Sequence, residues 1–227
     1  MAKKKTKNPT SPVHVDIVSD IVCPWCWLGK AYFDEAVRKS GRKVEVTYRP
    51  YMLDPDIAME GVPYAGYLTK KFGAGARDKF KPMRERLEQA ASGAGIEFKF
   101  DDIPVRPNTL RAHMLIRWAQ EQGFGPAAAE ALFRAFFKAL RDIGDVETLG
   151  EIAGEIGMDG ALTMELLRDN KDADSVREEI LYFRGLGISG VPTFIYNGQF
   201  AVQGGQPVSA HLDAIKQAAS QAPLEDM

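Results

Sequence analysis

The chain has 227 residues, 45% hydrophobic and 26% charged, with a formal net charge of −2; this is the composition of an ordinary globular protein with a well-formed core. The near-neutral balance excludes a global field favouring nucleic acid or an anionic membrane surface. No run of about 18 apolar residues is present, which excludes a transmembrane helix on the sequence alone.

Residues 1–12 carry Lys3, Lys4, Lys5 and Lys7 and read as a solvated, disordered basic tail. The tail has the charge of a signal-peptide start but no apolar stretch after it, so the cytoplasm is the expected compartment. Residues 13–18 alternate apolar with mixed side chains and predict a strand; 27–39 predict a helix; 43–51 predict a second strand with Val44, Val46 and Tyr48 on one face. Strand, helix, strand in that order predicts a parallel pair joined by a right-handed crossover. From 54 to about 107 the chain is punctuated by Gly and Pro, with short helices near 64–72 and 76–91. From 108 to about 186 it is mostly helical. Asn108 reads as an N-cap, followed on one face by Leu110, Met114, Leu115 and Trp118. Phe133, Phe136, Phe137 and Leu140 make the next apolar stripe, and Asp145 caps a helix that Gly157 ends. The helix over 175–186 stops at Gly187. Residues 193–196 and 199–202 flank Asn197-Gly198 and predict a hairpin with a type I′ turn. A closing helix covers 208–219.

The two cysteines, Cys23 and Cys26, are the only ones in the chain and lie between the first strand and the first helix. Two thiols at that spacing at a helix start close into a disulfide or open to a dithiol with little backbone movement, which makes a two-electron switch. Pro24 suits the first helical turn, where a missing N–H costs nothing. Cys23, at or near the N-cap, meets unpaired N–H groups and the positive end of the dipole. Cysteines so placed have pKa values lowered to about 3.5 to 7.5. Cys23 is the expected nucleophile. Cys26, one turn in and more buried, is the expected resolving thiol, which attacks the mixed disulfide. A zinc site needs two more Cys or His ligands, and His14, His113 and His211 have no paired spacing, so no metal is expected. A permanent bridge across so short a loop restricts the unfolded chain little, and cytoplasmic disulfides are usually transient and catalytic. Inert core thiols fit the same composition; the neighbouring Pro24, Trp25 and Trp27 weigh against them.

A CxxC at a helix start, a helical middle, and then Gly190-Val191-Pro192-Thr193-Phe194 entering a strand resemble the thioredoxin superfamily, and more narrowly the FrnE-type branch of the DsbA-like family. Further matching segments are Asp20-Ile21-Val22 with Gly29, Asn108-Thr109 with Ala112-His113, and Gln203-Gly204-Gly205-Gln206. The resemblance implies an α/β, thioredoxin-like fold (β-α-β then β-β-α) with a large all-helical insertion. Residues 13–53 and 187–220 then form a discontinuous thioredoxin-like domain and 54–186 the insertion domain. It implies a cis Val191–Pro192 bond facing the CxxC, with the Val191 backbone pairing to an extended substrate and Thr193, Pro24 and Trp25 completing the substrate surface. On the sequence alone, an ordinary trans proline at a strand entrance fits equally. Asp16 and Asp20 are the candidates for the acid that thioredoxins keep beneath the second thiol, and Asp20 could instead cap the helix. His113 matches a family position facing the site; a partly exposed packing histidine is the plainer alternative.

The implied function is thiol–disulfide exchange on disulfide-containing polypeptides or small disulfides, by a monomer or homodimer. No cofactor is required, and glutathione is an electron donor or co-substrate. Trp25 stands where periplasmic DsbA has a histidine that stabilises the thiolate, so a cytoplasmic reductase or isomerase is expected over an oxidant. Kappa-class glutathione transferases and 2-hydroxychromene-2-carboxylate isomerases share the scaffold, with serine where Cys23 stands. A holdase using Trp25, Trp27 and Pro192 as an apolar surface is the third alternative.

Overall fold

In the computed structural model, which describes residues 12–221, the first strand, β1 (Val13–Ser19), buries Val13, Val15 and Ile17 while His14 is exposed and Asp16 half-exposed. All but the last residue of the basic tail lies outside the described residues. The chain continues through α1 (Pro24–Ser40), β2 (Val44–Pro50), a two-residue strand β3 (Val62–Pro63), α2 (Tyr64–Phe72), α3 (Ala76–Gly93), a second short strand β4 (Val105–Arg106), α4 (Leu110–Glu121), α5 (Gly125–Phe137), α6 (Val146–Glu155), α7 (Gly160–Arg168) and α8 (Ala173–Gly185). It closes with β5 (Thr193–Tyr196), β6 (Phe200–Gln203) and α9 (Val208–Ser220).

The two ends of the chain share one sheet, in the order β2-β1-β5-β6, and helices α2 to α8 all fall between its second and third strands in sequence. This is a thioredoxin-like α/β fold carrying a long helical insertion. β1 pairs in parallel with β2 from Val13 opposite Val44 to Ser19 opposite Pro50, and antiparallel with β5 from Val15 opposite Tyr196 to Val18 opposite Thr193. That second register decides where the chemistry sits. Val18 beside Thr193 means that the loop leaving β1 and the loop entering β5 emerge at the same end of the sheet.

The β5–β6 hairpin turns through Asn197 (φ 51°) and Gly198 (φ 67°), both in the left-handed region that a type I′ turn needs, and Gln199 N–H donates to Tyr196 O at 2.9 Å. Asn197 also accepts from His14 N–H and donates to Ala218 O, tying the hairpin to β1 and α9. Phe33 of α1 stacks on Phe194 at 5.3 Å, and both rings contact His211 of α9. On another face of α1, Trp27 stacks against Phe133 and Phe137 of α5.

Three local expectations need correction. Trp27 is 3% exposed and belongs to this aromatic core, so it contributes nothing to an external apolar surface. Asn108 stands one residue before the N-cap position, which Thr109 holds. Its Oδ1 still accepts the Leu110 N–H at 3.0 Å, while its Nδ2 donates to Ile57 O and anchors it outside the helix. Leu140 falls beyond α5, at φ 60°, and does not continue that helix's stripe.

Candidate active site

The loop after β1 is closed by Cys23 N–H donating to Asp20 O at 3.0 Å, and this turn sets Cys23 at the N-cap of α1, in extended conformation, with Pro24 following as the first helical residue. Cys26 N–H donates to Cys23 O at 3.0 Å, the first turn of the helix. Both thiols are free, at 5% and 2% exposure. The half-buried Pro24 and Trp25 lie between them in sequence.

The two sulfurs sit in unequal fields. The Cys26 S–H donates to the Cys23 sulfur, and this hydrogen bond is the largest influence pulling the Cys23 pKa below its ordinary value; burial opposes it, the N–H groups of Cys26 and Trp25 assist, and the Asp20 charge opposes. Burial pushes the Cys26 thiol well above its ordinary value, reinforced by its bond to Cys23 and by the Cys23 charge. The Ser19 side chain and the Asp20 backbone partly offset that rise. The surroundings of Cys23 favour its ionisation, while burial disfavours that of Cys26.

Opposite the pair, the Val191–Pro192 bond is cis, and the Cys23 thiol faces Val191 O at 3.7 Å. Pro192 is buried, and its own carbonyl accepts from Gly204 N–H at 2.8 Å. Two glycines allow this approach. A Cβ on Gly29 would lie 3.0 Å from Pro192 Cγ, and one on Gly205 would lie 3.2 Å from Trp25 Cε3. α1, the proline loop and the Gly204-Gly205 loop therefore press together around the CxxC.

The remaining expected residues divide. Val191 is half-buried beside Cys23. Thr193 is buried, its hydroxyl donating to Gly190 O at 2.9 Å, so it shapes the proline loop and offers no surface to a substrate. Asp16 is drawn outward by Arg49, at 2.6 Å, and does not lie beneath Cys26. Asp20 is fully buried and does not cap α1; its Oδ2 accepts the Leu53 N–H at 2.7 Å, while Oδ1 has no hydrogen-bond partner. His113, 4% exposed, is not a partly exposed helix residue. Its Nε2 lies 2.9 Å from Tyr51 O and 3.6 Å from Asp20 Oδ1.

Sequence reasoning missed Arg106. Its Nη1 donates to Val22 O, the carbonyl just before Cys23, at 3.0 Å, and its Nε and Nη2 both reach Asp54 Oδ2. Asp54 also accepts from the Tyr67 hydroxyl and pairs with Lys71. Arg106 is buried and is placed by the β3–β4 ribbon, whose two-residue strands give no periodic signal. Beside this cluster runs an open groove of about 370 Å³, walled by Tyr64, Tyr67, Phe72, Phe80 and Met83 and bounded on the CxxC side by Pro24. The cations on its wall are matched: Lys71 and Arg106 by Asp54, Arg84 by Asp101.

Among the described residues, no cluster of His, Cys, Asp and Glu could hold a metal ion, and no helix is long and apolar enough to cross a membrane.

Comparison with known proteins agrees with this geometry. The model of the DSBA-like thioredoxin domain matches residues 14–216. The uncharacterized protein YwbO of Bacillus subtilis is 31% identical over 188 residues, 81% of this chain and 86% of that protein. A probable DsbA oxidoreductase from Streptomyces coelicolor superposes with a TM-score of 0.83 at 32% identity, covering 95% of this chain and 94% of its own. The cytosolic disulfide reductase DsbM from Pseudomonas aeruginosa, solved with GSH, shares the fold at a TM-score of 0.60 and 18% identity, over 91% and 96% of the two chains.

Proposed function

Since this chain belongs to the DSBA-like thioredoxin domain family, we propose that it reduces or isomerises disulfides, cycling Cys23 and Cys26 between dithiol and disulfide. The observation that carries this reading is the unequal pair of thiols: an N-cap Cys23 with lowered pKa facing the Val191 carbonyl, and a buried Cys26 held protonated one turn behind it.

The Cys23 thiolate attacks one sulfur of a substrate disulfide, and the other sulfur leaves with the electron pair. The Val191 backbone aligns the substrate strand, beside Pro24 and Trp25. Cys26 then loses its proton and attacks Cys23, releasing the second substrate thiol and closing the internal disulfide. An external thiol restores the dithiol. Glutathione is our candidate for that reductant, supported by the GSH in the structure of DsbM, which also motivates a cytosolic setting. The aromatic groove beside Pro24 favours polypeptide substrates over glutathione disulfide alone, because its cations are already matched by carboxylates. Trp25 brings no positive charge to the Cys23 thiolate, which favours a reductase or isomerase over a strong oxidant.

The test is a pair of variants. Cys23→Ser is expected to abolish disulfide exchange, and Cys26→Ser to accumulate mixed disulfides with proteins in a lysate. Exchange that survives Cys23→Ser would overturn the reading. Turnover of a glutathione-dependent isomerase substrate that survives Cys26→Ser would replace it with the isomerase alternative.

A further inference from the structure

Helix α2 carries Tyr64, Tyr67, Leu68, Lys71 and Phe72 at the spacing of one helical face, and every one of them lines the aromatic groove beside Pro24. A helix with such a face ordinarily buries it, yet no residue of α2 is buried. From α3, Phe80 and Met83 line the same groove. Leu53, Phe72 and Met83, which border it, are 37%, 39% and 43% exposed. Among the described residues, then, the chain does not fill the apolar face that α2 and α3 present. The rings on it are nonetheless held in place. Tyr67 contacts Tyr64 at 6.2 Å and Phe72 at 6.4 Å between ring centroids, and Phe72 meets Phe80 edge-on at 4.8 Å. The buried Arg106 guanidinium lies 5.0 Å from the centre of the Tyr67 ring. The groove also joins the active site, because Val22 and Pro24, the neighbours of Cys23 on either side in sequence, both line it.

We propose that this groove is a specificity subsite that takes an uncharged aromatic side chain of a substrate polypeptide, borne two positions from the half-cystine that Cys23 attacks. The proposal rests on the thiol–disulfide reading above and names the substrate class for it. Several features select that occupant. The groove begins at the residues flanking the nucleophile, so whatever fills it arrives with the disulfide under attack. Its volume of about 370 Å³ lies at the small end of ligand pockets, room for a ring and its neighbours and not for a folded partner. Its cations are paired, Lys71 and Arg106 with Asp54 and Arg84 with Asp101, so an anion such as glutathione disulfide meets no unmatched charge there. An incoming ring meets ring faces and edges that are already ordered, so less freedom is lost on binding. In an extended chain the side chains alternate, and those two positions before and after a cysteine project on the same face as its sulfur, roughly 6.6 Å along the strand. One of them then passes Pro24 toward the groove.

The experiment uses the reduced full-length chain and two disulfide-linked peptide dimers, identical except that phenylalanine or serine stands two positions to either side of the cysteine. Each reaction closes the Cys23–Cys26 disulfide and releases two peptide thiols, and its rate is read by mass after acid quenching. Glutathione disulfide is the third probe. The parent is expected to be oxidised about tenfold or more faster by the phenylalanine dimer than by the serine dimer. In Phe72→Ser and in Met83→Gln, both at exposed positions, that ratio is expected to fall to within about threefold. The ratio is taken within each protein, so a general change in reactivity cancels. Equal rates for the two dimers in the parent, or the full preference kept in both variants, would overturn the subsite. A parent without preference that sediments as a dimer, dissociated by Phe72→Ser, would overturn it in favour of a second copy of the chain. Failure of the parent to react with glutathione disulfide and with either peptide would overturn the thiol–disulfide reading, and the subsite with it.

Discussion

Cys23 and Cys26 are chemically identical side chains three positions apart, and their surroundings give them opposite acidities. The largest single cause for Cys23 is the hydrogen bond it accepts from Cys26, not the helix terminus that the spacing alone brings to mind. Removing that donor should therefore be felt at Cys23. In Cys26→Ala the midpoint for alkylation of Cys23 against pH is expected to rise from its value in the reduced parent; an unchanged midpoint would assign the lowered pKa to the backbone N–H groups instead. The N-cap placement of Cys23 and the burial of Cys26 were legible at this scale because they depend on local spacing. The fates of His113, Trp27 and Thr193 were not. His113 and Trp27 are decided by what packs over them from distant sequence, Tyr51 and Asp20 over the first and Phe133 and Phe137 over the second, and Thr193 by the bond of its hydroxyl to Gly190 O three residues back, which strand alternation does not encode.

Strand alternation, the Asn197-Gly198 turn and the apolar helix faces are written in contiguous residues, so β1, β2, the terminal hairpin and most helices could be read directly. The β3–β4 ribbon could not, because two-residue strands carry no period, and the ion pair it presents joins residues 52 apart. That ribbon holds Arg106 between Asp54 and the Val22 carbonyl, bracing the backbone that leads into Cys23. Arg106→Met strands a half-buried carboxylate that keeps Lys71 and Tyr67 as partial compensation. It is expected to cost about 3 kcal/mol in urea unfolding, with slower disulfide exchange. Arg106→Lys should recover little of this, since an ammonium cannot span both partners as the guanidinium fork does. A loss below about 1 kcal/mol in Arg106→Met would remove the brace from the account.

At the scale of the whole molecule, the two ends of the chain close one sheet, and His211 of α9 sits sealed beneath it. Its ring is fully buried against Phe33 and Phe194, with Nδ1 2.7 Å from the Tyr196 hydroxyl, and burial lowers its pKa from 6.5 to about 4. The folded state therefore binds this proton less readily than the unfolded chain. The stability contributed by the neutral ring is fully present above about pH 6.5 and is lost as pH falls toward 4, amounting to about 3 kcal/mol. Denaturant unfolding across that interval is expected to show the decline, and His211→Leu to flatten it; an unflattened slope would place the acid sensitivity elsewhere. The fold as a whole exists, in this account, to hold one dithiol at the end of that sheet, and the most direct measurement is the equilibrium potential of Cys23–Cys26 in glutathione buffers, followed by the mass shift on alkylation. A single two-electron transition near or below about −220 mV is the predicted result, and places the pair among reductants in a glutathione-poised environment. A transition near −120 mV, typical of a strong oxidant, or no transition at all, would contradict it.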